Sequence, residues 1–315
     1  MRMRGNLDVV TGAFSYTGKY ITRRLLASNR RVRTLTGHPE RAGPTDAFAG
    51  AVEARPFAFE RPQLLTRDLA DVDTLYNTYW IRFARCGVTH ETAVAHLRAL
   101  IAAAAAAGVR RVVHISITGA SSASPLPYFR GKGEVEDALA ASGLAHAILR
   151  PALIYGPEDV LVHNIAWIAR RFPIFPVFGD GRYPVQPVDV EDLAALAVQL
   201  GAAEDTMTVD AVGPETYPFR DWVRQIAQAV GRHPRLLPVS PATGMALAHF
   251  LSRVVGDVVL TRDEISGLMA GYLAAPGSPT TPGRFSAWLH THADTLGRRY
   301  ASELARHYDR RPEAR

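Results

Sequence analysis

Cysteine is nearly absent from this chain of 315 residues, which contains only Cys86. A single cysteine excludes a disulfide framework and a cysteine-based zinc cluster, and it is typical of proteins from a reducing compartment. The longest apolar run, residues 99–109, falls well short of the roughly 20 residues that cross a bilayer. The first residues are too short and polar a segment to be a signal-peptide core. We therefore expect a soluble, cytoplasmic protein.

Lysine is also scarce, because Lys19 and Lys132 are the only two and 34 of the 36 cationic side chains are arginine. The arginines are scattered along the chain, whereas a nucleic-acid interface gathers them into a stripe with interleaved aromatic residues. The formal net charge of +6 is therefore weak support for a polyanionic partner. No set of His, Asp and Glu residues has metal-ligand spacing. We expect neither a nucleic-acid partner nor a metal.

Short β-branched segments alternate with longer helical ones through residue 150. The predicted strands are Leu7–Thr11, Arg31–Thr36, Val52–Phe59, Thr74–Tyr79, Arg111–Ile117 and Ala145–Leu149. The predicted helices between them are Thr17–Ser28, Pro62–Ala70, Thr89–Ala107 and Gly133–Ser142. This alternation indicates an α/β fold in which helices cover both faces of a parallel sheet. Such sheets bind ligands at the carboxyl ends of their strands.

Proline and glycine become frequent after residue 150, which predicts an irregular connector over residues 151–212. The connector is expected to contain one helix, Val190–Leu200. Helices dominate from residue 213 onward, and they are predicted at Phe219–Val230, Ala242–Val255, Thr261–Ala270 and Arg284–Ala305. A charged tail follows from Asp309. We therefore expect three parts: residues 1–150, the connector 151–212, and a smaller, mostly helical region over 213–315.

The apolar stretch Met245–Leu260 allows two interpretations. Arg253 and Asp257 interrupt it, and we favour a packed amphipathic helix. A helix that lies on a membrane surface is the alternative.

A glycine turn follows the first predicted strand and opens the first predicted helix. Gly12 permits the tight turn and Gly18 allows the helix to approach the sheet. The free N–H groups and the positive dipole of the helix then suit a pyrophosphate. The residues between the two glycines that we assign to this cofactor loop are Phe14, Ser15, Tyr16 and Thr17. A plain turn between a strand and a helix is the alternative.

Ser15 departs from the usual pattern of three glycines, because it stands where the middle glycine is expected. Its Cβ atom crowds the phosphates. Its hydroxyl, however, could donate a hydrogen bond to one of them.

The second predicted strand ends in the segment Thr36–Arg41. A carboxylate at this place normally holds the ribose 2′-hydroxyl of NAD, whereas a cation accommodates the 2′-phosphate of NADP. No acidic residue precedes Glu40, and Thr36, His38 and Arg41 suit a phosphate. The segment therefore favours NADP(H) over NAD(H). A purely solvated surface role for Arg41 is the alternative.

Tyr128 and Lys132 stand four residues apart after the fifth predicted strand. This spacing puts two side chains on one face of a helix. An ammonium held there favours the tyrosinate and so lowers the pKa of the phenol, which would then exchange a proton with a carbonyl and alcohol pair. Thr118, at the end of the strand, could hydrogen-bond the same oxygen. The alternative is an exposed pair on a surface turn, since the glycines on either side of Lys132 weaken the start of a helix.

These motifs resemble those of the extended and atypical short-chain dehydrogenase/reductase superfamily. The resemblance rests on Thr11–Gly18, on the Tyr128-x-x-x-Lys132 pair and on Arg150–Gly156. The segments 77–83, 178–193 and 210–215 are more narrowly similar to one branch. That branch contains the NADPH-binding accessory subunit of respiratory complex I and its bacterial relatives.

The resemblance implies a doubly wound parallel Rossmann sheet over residues 1–150, with a smaller C-terminal region on the substrate side. By position, Gly12, Ser15 and Gly18 would form the phosphate loop. Asn77 and Tyr79 would line the cofactor cleft, and the segment that contains Pro151 would cross the nicotinamide end.

The resemblance also implies that Thr118, Tyr128 and Lys132 are the catalytic residues, with Lys132 holding the nicotinamide ribose as well. The expected function is an NADP(H)-dependent oxidoreductase or epimerase that acts on an unidentified small molecule. A non-catalytic NADP(H)-binding sensor or assembly subunit is the alternative, and peripheral association with a membrane complex follows from the family alone. His114 lies within a predicted strand, and we interpret it as a core histidine.

Overall fold

The structure of the protein, a computed structural model, describes residues 5–307, so the predicted tail from Asp309 lies outside the described residues. The described strands are β1 (Leu7–Thr11), β2 (Arg31–Thr36), β3 (Val52–Pro56), β4 (Thr74–Asn77), β5 (Arg111–Ile115), β6 (Ala145–Pro151), β7 (Leu153–Tyr155), β8 (Ile174–Phe178), β9 (Pro184–Val185), β10 (Pro187–Asp189), β11 (Met207–Ala211), β12 (Tyr217–Pro218) and β13 (Arg235–Val239).

The helices cover both halves of the chain. They are α1 (Tyr16–Ala27), α2 (Pro62–Asp68), α3 (His90–Ala107), α4 (Pro127–Ala140), α5 (Leu161–Arg171), α6 (Val190–Ala202), α7 (Phe219–Ala229), α8 (Pro241–Val255), α9 (Arg262–Met269), α10 (Phe285–His292) and α11 (Glu303–His307). No helix within residues 5–307 combines the length and apolar character needed to span a membrane.

The chain divides into two compact units, and the first consists of the residues up to Pro151 together with Val190–Ala211. Its sheet has seven strands in the order β11-β6-β5-β4-β1-β2-β3. Every neighbouring pair is parallel. The predicted α/β fold with a parallel Rossmann-type sheet is therefore confirmed. The strand order reverses between β1 and β4, and in such sheets the ligand crevice lies at the carboxyl ends of the strands beside that reversal.

Helices pack on both faces of this sheet, because its strands are apolar on both sides. Helix α1 packs against α6, while α2 and α4 both pack against α3. Helix α3 is bounded as the sequence predicts: the Thr89 hydroxyl accepts a hydrogen bond from the Thr92 N–H at 3.2 Å, and Gly108 ends the helix with φ of 70°. Helix α4 begins six residues earlier than predicted, at Pro127.

The second unit consists of Ala152–Asp189 and the residues from Val212 onward. It contains three two-stranded pairs, β7 with β10, β8 with β13 and β9 with β12, and its core includes Tyr155, Trp222 and Phe285. Two expectations were wrong here. The connector contains helix α5, which its prolines and glycines concealed, and the predicted helix 284–305 is two helices, α10 and α11. Gly297, with φ of 65°, lies between these two.

Candidate functional site

The glycine turn after β1 has the geometry that the sequence predicts. Gly12 adopts φ of 69°, a left-handed conformation that favours glycine. A Cβ atom at Gly18 would lie 2.2 Å from the Gly12 carbonyl oxygen, so a side chain there would force α1 away from the strand. The two glycines thus bring the start of α1 directly over the end of β1. The backbone N–H groups of the first turn of α1 have no acceptor within the helix and suit a pyrophosphate.

Ser15 is the N-terminal cap residue of α1, and its hydroxyl donates to the Gly12 carbonyl at 2.6 Å. The hydroxyl proton is therefore used within the turn, and the phosphate contacts expected here fall to backbone N–H groups. Phe14 packs against Phe48 with ring centroids 5.8 Å apart, and Tyr16 packs against Tyr20 at the same distance. Thr17 lies half-buried in the first turn of α1.

The end of β2 carries Thr36, His38 and Arg41, the residues that the sequence pattern assigns to a 2′-phosphate. The Thr36 hydroxyl accepts a hydrogen bond from the His38 N–H at 3.1 Å, and His38 Nδ1 lies 3.0 Å from a Glu40 carboxylate oxygen. A Cβ atom at Gly37 would meet nothing within 4 Å, so the space beside the strand end is open. Arg41 is exposed at the end of a short 3₁₀ turn.

A chain of hydrogen bonds joins the carboxyl ends of β1, β4 and β5. The Thr11 hydroxyl donates to the Asn77 side-chain oxygen at 3.1 Å, and the Asn77 amide donates to Nδ1 of His114 at 2.8 Å. His114 therefore carries its proton on Nε2. Burial, together with the nearby Lys132 charge, holds the pKa of His114 well below its usual value, so the ring is neutral. The core position expected for His114 is confirmed.

Tyr79 lies two residues after Asn77, but its side chain packs in an aromatic cluster. Its hydroxyl lies 2.8 Å from Nδ1 of His96, and its ring packs against Phe57 and Phe59 with centroids 5.1 Å and 5.2 Å away. The structure thus places Asn77 inside the strand-end hydrogen bonds and Tyr79 among half-buried rings. Pro151 ends β6, and its carbonyl accepts a hydrogen bond from the N–H of buried Thr118 at 3.0 Å.

Helix α4 carries both Tyr128 and Lys132, so the shared helix that their spacing predicts is confirmed. The predicted start of α4 at Gly133 was wrong, because Gly131 and Gly133 both lie inside the helix, at positions where a side chain would clash with neighbouring segments. A Cβ atom at Gly131 would lie 2.9 Å from the Trp80 ring, and one at Gly133 would lie 2.2 Å from the Ser121 backbone. Both glycines therefore allow α4 to approach the strand-end loops closely.

Lys132 is a buried cation, with 3% of its surface exposed. Its ammonium donates to the Ile115 carbonyl at 2.8 Å and lies 4.8 Å from the centroid of the Trp80 ring. Burial lowers the pKa of Lys132 to about 7, although the Glu136 carboxylate one turn later opposes this. Glu136 also accepts hydrogen bonds from Nε of Arg150, at 3.0 and 3.1 Å.

Tyr128 packs edge-on against two stacked rings. Its centroid lies 6.0 Å from that of Trp80 and 5.7 Å from that of His90, with interplanar angles of 90° and 87°. Trp80 and His90 are themselves nearly parallel, 5.9 Å apart. Trp80 therefore contacts both members of the Tyr128 and Lys132 pair.

Four buried polar groups near these strand ends have no hydrogen-bond partner within residues 5–307. They are Nε1 of Trp80, Nε2 of His90, Nε2 of His114 and Oγ of Ser116. Buried polar groups are normally paired, so unpaired groups at these strand ends fit a polar ligand. Together with the Gly12 and Gly18 turn, they fit a dinucleotide. Sequence reasoning did not single out Ser116, two residues before Thr118 at a strand end, and nothing in the sequence pointed to His90.

Comparison with known proteins agrees with this geometry. Residues 12–162 match a family model described as NAD(P)H-binding. The chain is 28% identical over 301 residues to a (4-alkanoyl-5-oxo-2,5-dihydrofuran-3-yl)methyl phosphate reductase from Streptomyces griseus, covering 91% of this chain and 98% of that protein. It is 24% identical over 254 residues to a mitochondrial NADH dehydrogenase [ubiquinone] 1 alpha subcomplex subunit 9 from Arabidopsis thaliana. That match covers 77% of this chain and 63% of the plant protein.

A solved structure shares the fold over most of its length. It is an NADPH-dependent quinone oxidoreductase from Escherichia coli in complex with NADPH, with a TM-score of 0.70 and 21% identity. The match covers 91% of this chain and 98% of that one. The family match over residues 12–162 and the seven-stranded parallel sheet therefore indicate an NAD(P)-binding domain of the Rossmann type.

Proposed function

We propose that the protein is an NADP(H)-dependent oxidoreductase or epimerase of the short-chain dehydrogenase type, with Tyr128 as its proton donor and acceptor. One observation carries the proposal: Tyr128 and Lys132 lie on one helix at the carboxyl end of β5, and both contact Trp80. The reductase from Streptomyces griseus and the quinone oxidoreductase from Escherichia coli support an oxidoreductase by their names. The substrate is a small molecule with a carbonyl or alcohol carbon.

The cofactor would lie across the carboxyl ends of β1, β4 and β5. The Gly12 turn and the first N–H groups of α1 would hold its pyrophosphate, and Lys132 would hold its nicotinamide ribose. When bound, NADP(H) supplies or accepts the hydride. The open space at Gly37, with Thr36, His38 and Arg41 beyond it, supports NADP(H) over NAD(H), because a 2′-phosphate meets no carboxylate before Glu40.

In this proposal, Tyr128 protonates and deprotonates the substrate oxygen. The charge of Lys132 favours the tyrosinate form of Tyr128, so the phenol releases and recovers a proton more readily. Because burial brings the pKa of Lys132 to about 7, a small change in its surroundings decides whether it is charged at neutral pH. Thr118 would orient the substrate oxygen from the loop after β5.

The second candidate is a non-catalytic NADP(H)-binding sensor or assembly subunit. The similarity to the plant NADH dehydrogenase subunit favours it, because that protein is named as a component of a larger complex. Under this proposal the buried Lys132 would serve cofactor binding alone.

Thermal unfolding with and without NADPH tests both candidates. Binding to the folded state raises the melting temperature, and no shift with NADPH or with NADH would contradict both. The two candidates differ in whether Tyr128→Phe changes a rate of turnover. The assay is NADPH oxidation against a panel of quinones, aldehydes and nucleotide sugars. Tyr128→Phe should keep the NADPH-induced shift and lower turnover by at least roughly a hundredfold. An active preparation that kept its rate after this change would refute the role of Tyr128.

A further inference from the structure

Helix α8, in the second unit, leaves an apolar stripe uncovered. One side of the helix is packed: Gly244 and Ala248 are buried, and a Cβ atom at Gly244 would lie 2.1 Å from the Phe178 ring. On another side Leu247, Phe250 and Val254 are 45%, 68% and 66% exposed. Their spacing of three and four residues puts them on one helical face. The packed amphipathic helix expected from the sequence thus has a second apolar face in solvent.

The stripe continues onto the two-stranded pair beneath α8. Strands β8 and β13 are parallel, with Ile174 opposite Arg235 and Phe178 opposite Val239. Side chains two residues apart point to the same face of a strand. Ile174 and Leu237 therefore lie on the face that carries Phe178, which α8 covers, and they are 48% and 43% exposed. Ile174, Leu237, Leu247, Phe250 and Val254 are called the α8 face below.

The charged residues of the segment that contains β13 and α8 all have one sign. Residues 222–256 contain no Asp or Glu. Arg235 and Arg253 are exposed, and neither forms an ion pair with any residue in the described part of the chain. A two-fold contact made by this face would present the same arginines from both copies, and residues 222–256 offer no carboxylate to pair with them. An anionic surface instead compensates both charges.

We propose that the α8 face docks on an anionic lipid bilayer. Phe250, Leu247 and Val254 would enter the boundary between headgroups and acyl chains, while Arg235 and Arg253 meet lipid phosphates. This inference goes beyond the proposed function, because it assigns a surface that the cofactor site does not use. It concerns attachment to the membrane surface, in keeping with the lack of a spanning helix among residues 5–307.

Co-sedimentation of the full chain with lipid vesicles tests the proposal. We expect binding to vesicles of phosphatidylcholine mixed with phosphatidylglycerol, weaker binding to phosphatidylcholine alone, and a decline as salt is added. Phe250→Ser should weaken binding roughly tenfold. Arg253→Gln should weaken it roughly fivefold. Both positions are exposed, so circular dichroism should show an unchanged fold.

Two matched variants serve as controls. Leu161→Ser removes an apolar side chain of the same unit that is 36% exposed and lies outside the α8 face. Arg98→Gln removes an exposed cation on α3. Both should bind vesicles as the unchanged protein does.

Three results would overturn the proposal. The first is no sedimentation with phosphatidylglycerol vesicles, and the second is equal weakening by Leu161→Ser and Phe250→Ser. The third is a dimer in analytical ultracentrifugation that Phe250→Ser dissociates, which would assign the α8 face to a second copy of the chain. None of these outcomes depends on NADPH binding or turnover.

Discussion

The two ends of the seven-stranded sheet both bury charged side chains, but only one of them pairs these charges fully. At the amino ends of the strands, Arg30 donates two hydrogen bonds to Asp8, both at 2.7 Å. Asp73 accepts two from Arg110, at 2.8 and 3.0 Å. The fully buried Arg111 donates to three carbonyl groups, those of Leu200, Glu204 and Asp205. Charges at this end are matched by nearby partners.

The carboxyl end is different. Lys132 has one carbonyl acceptor and a tryptophan ring, and four buried polar groups around it lack partners within residues 5–307. A buried charge that its neighbours compensate only in part costs stability, and such groups cluster where a ligand or a reaction uses them. The comparison teaches that the amino end stabilises the fold and that the carboxyl end is arranged for a ligand. Variants at the two ends should therefore have opposite effects on stability and turnover.

Lys132→Met removes the buried charge at the carboxyl end of the sheet, and we expect it to have the largest effect on turnover. Under the proposed mechanism the Lys132 ammonium supports proton transfer by Tyr128, so its loss should lower turnover roughly 10²–10⁴-fold. The melting temperature without cofactor should stay the same or rise, because Met fills the volume without a buried charge. Steady-state kinetics and calorimetry measure the two quantities. A large fall in melting temperature would mean that Lys132 stabilises the fold.

The pH dependence of the free energy of unfolding reports on the protonation of Lys132. Burial lowers the pKa of Lys132 in the folded state from 10.5 to about 7. Between these values the unfolded chain binds the proton and the folded chain does not, so the free energy of unfolding rises with pH. From about pH 7 to about pH 9 the gain should be roughly 2–3 kcal/mol relative to Lys132→Met, at about 1.4 kcal/mol per unit. Urea unfolding of both proteins across this range measures the difference, and parallel curves would contradict it.

Asp73→Asn removes the carboxylate charge that pairs with Arg110 at the amino end of the sheet. Burial alone would raise the pKa of Asp73, but the hydrogen bonds and charge of Arg110 hold it below its usual value. Removing this carboxylate charge should lower the free energy of unfolding by about 2–3 kcal/mol, less than for a fully buried pair because Arg110 is partly exposed. Turnover per folded molecule should be unchanged.

Asp180→Asn is the matched control for Asp73→Asn. Its partner Arg182 lies 3.7 Å away and both side chains are well exposed. The change should cost less than about 1 kcal/mol. Equal losses for the two variants would show that the amino-end network adds nothing beyond a surface pair.

Gly37→Asp tests the cofactor preference at the carboxyl end of the sheet, and we expect it to have the smallest effect of these variants. The position is open, so the side chain fits, and its carboxylate would repel a 2′-phosphate and accept a bond from a 2′-hydroxyl. The ratio of NADPH to NADH affinity should fall roughly tenfold, about 1.4 kcal/mol. Titration calorimetry with both cofactors measures it. Gly277→Asp, at another open and exposed glycine, should leave the ratio unchanged.

Local patterns in the sequence predict the sheet and the centre of the site. Strands β1 and β2 lie where their β-branched residues predict them, and the spacing of Tyr128 and Lys132 places them on one helix. The start of α4 could not be predicted, because Gly131 and Gly133 lower helix propensity while their contacts with Trp80 and Ser121 come from distant segments. The stacking of His90 on Trp80 is likewise visible only once the chain has folded.

Arg111 ties the first unit to a late part of the chain. Its guanidinium donates to carbonyl groups at and just after the end of α6, and β11 then completes the sheet beside β6. Both elements follow the insertion of residues 152–189. During synthesis, the residues up to Pro151 therefore leave the ribosome before the acceptors of Arg111 and the edge strand β11 have been made. The unit can close only after residue 211 has left the ribosome, which gives it a high contact order and a slow folding step.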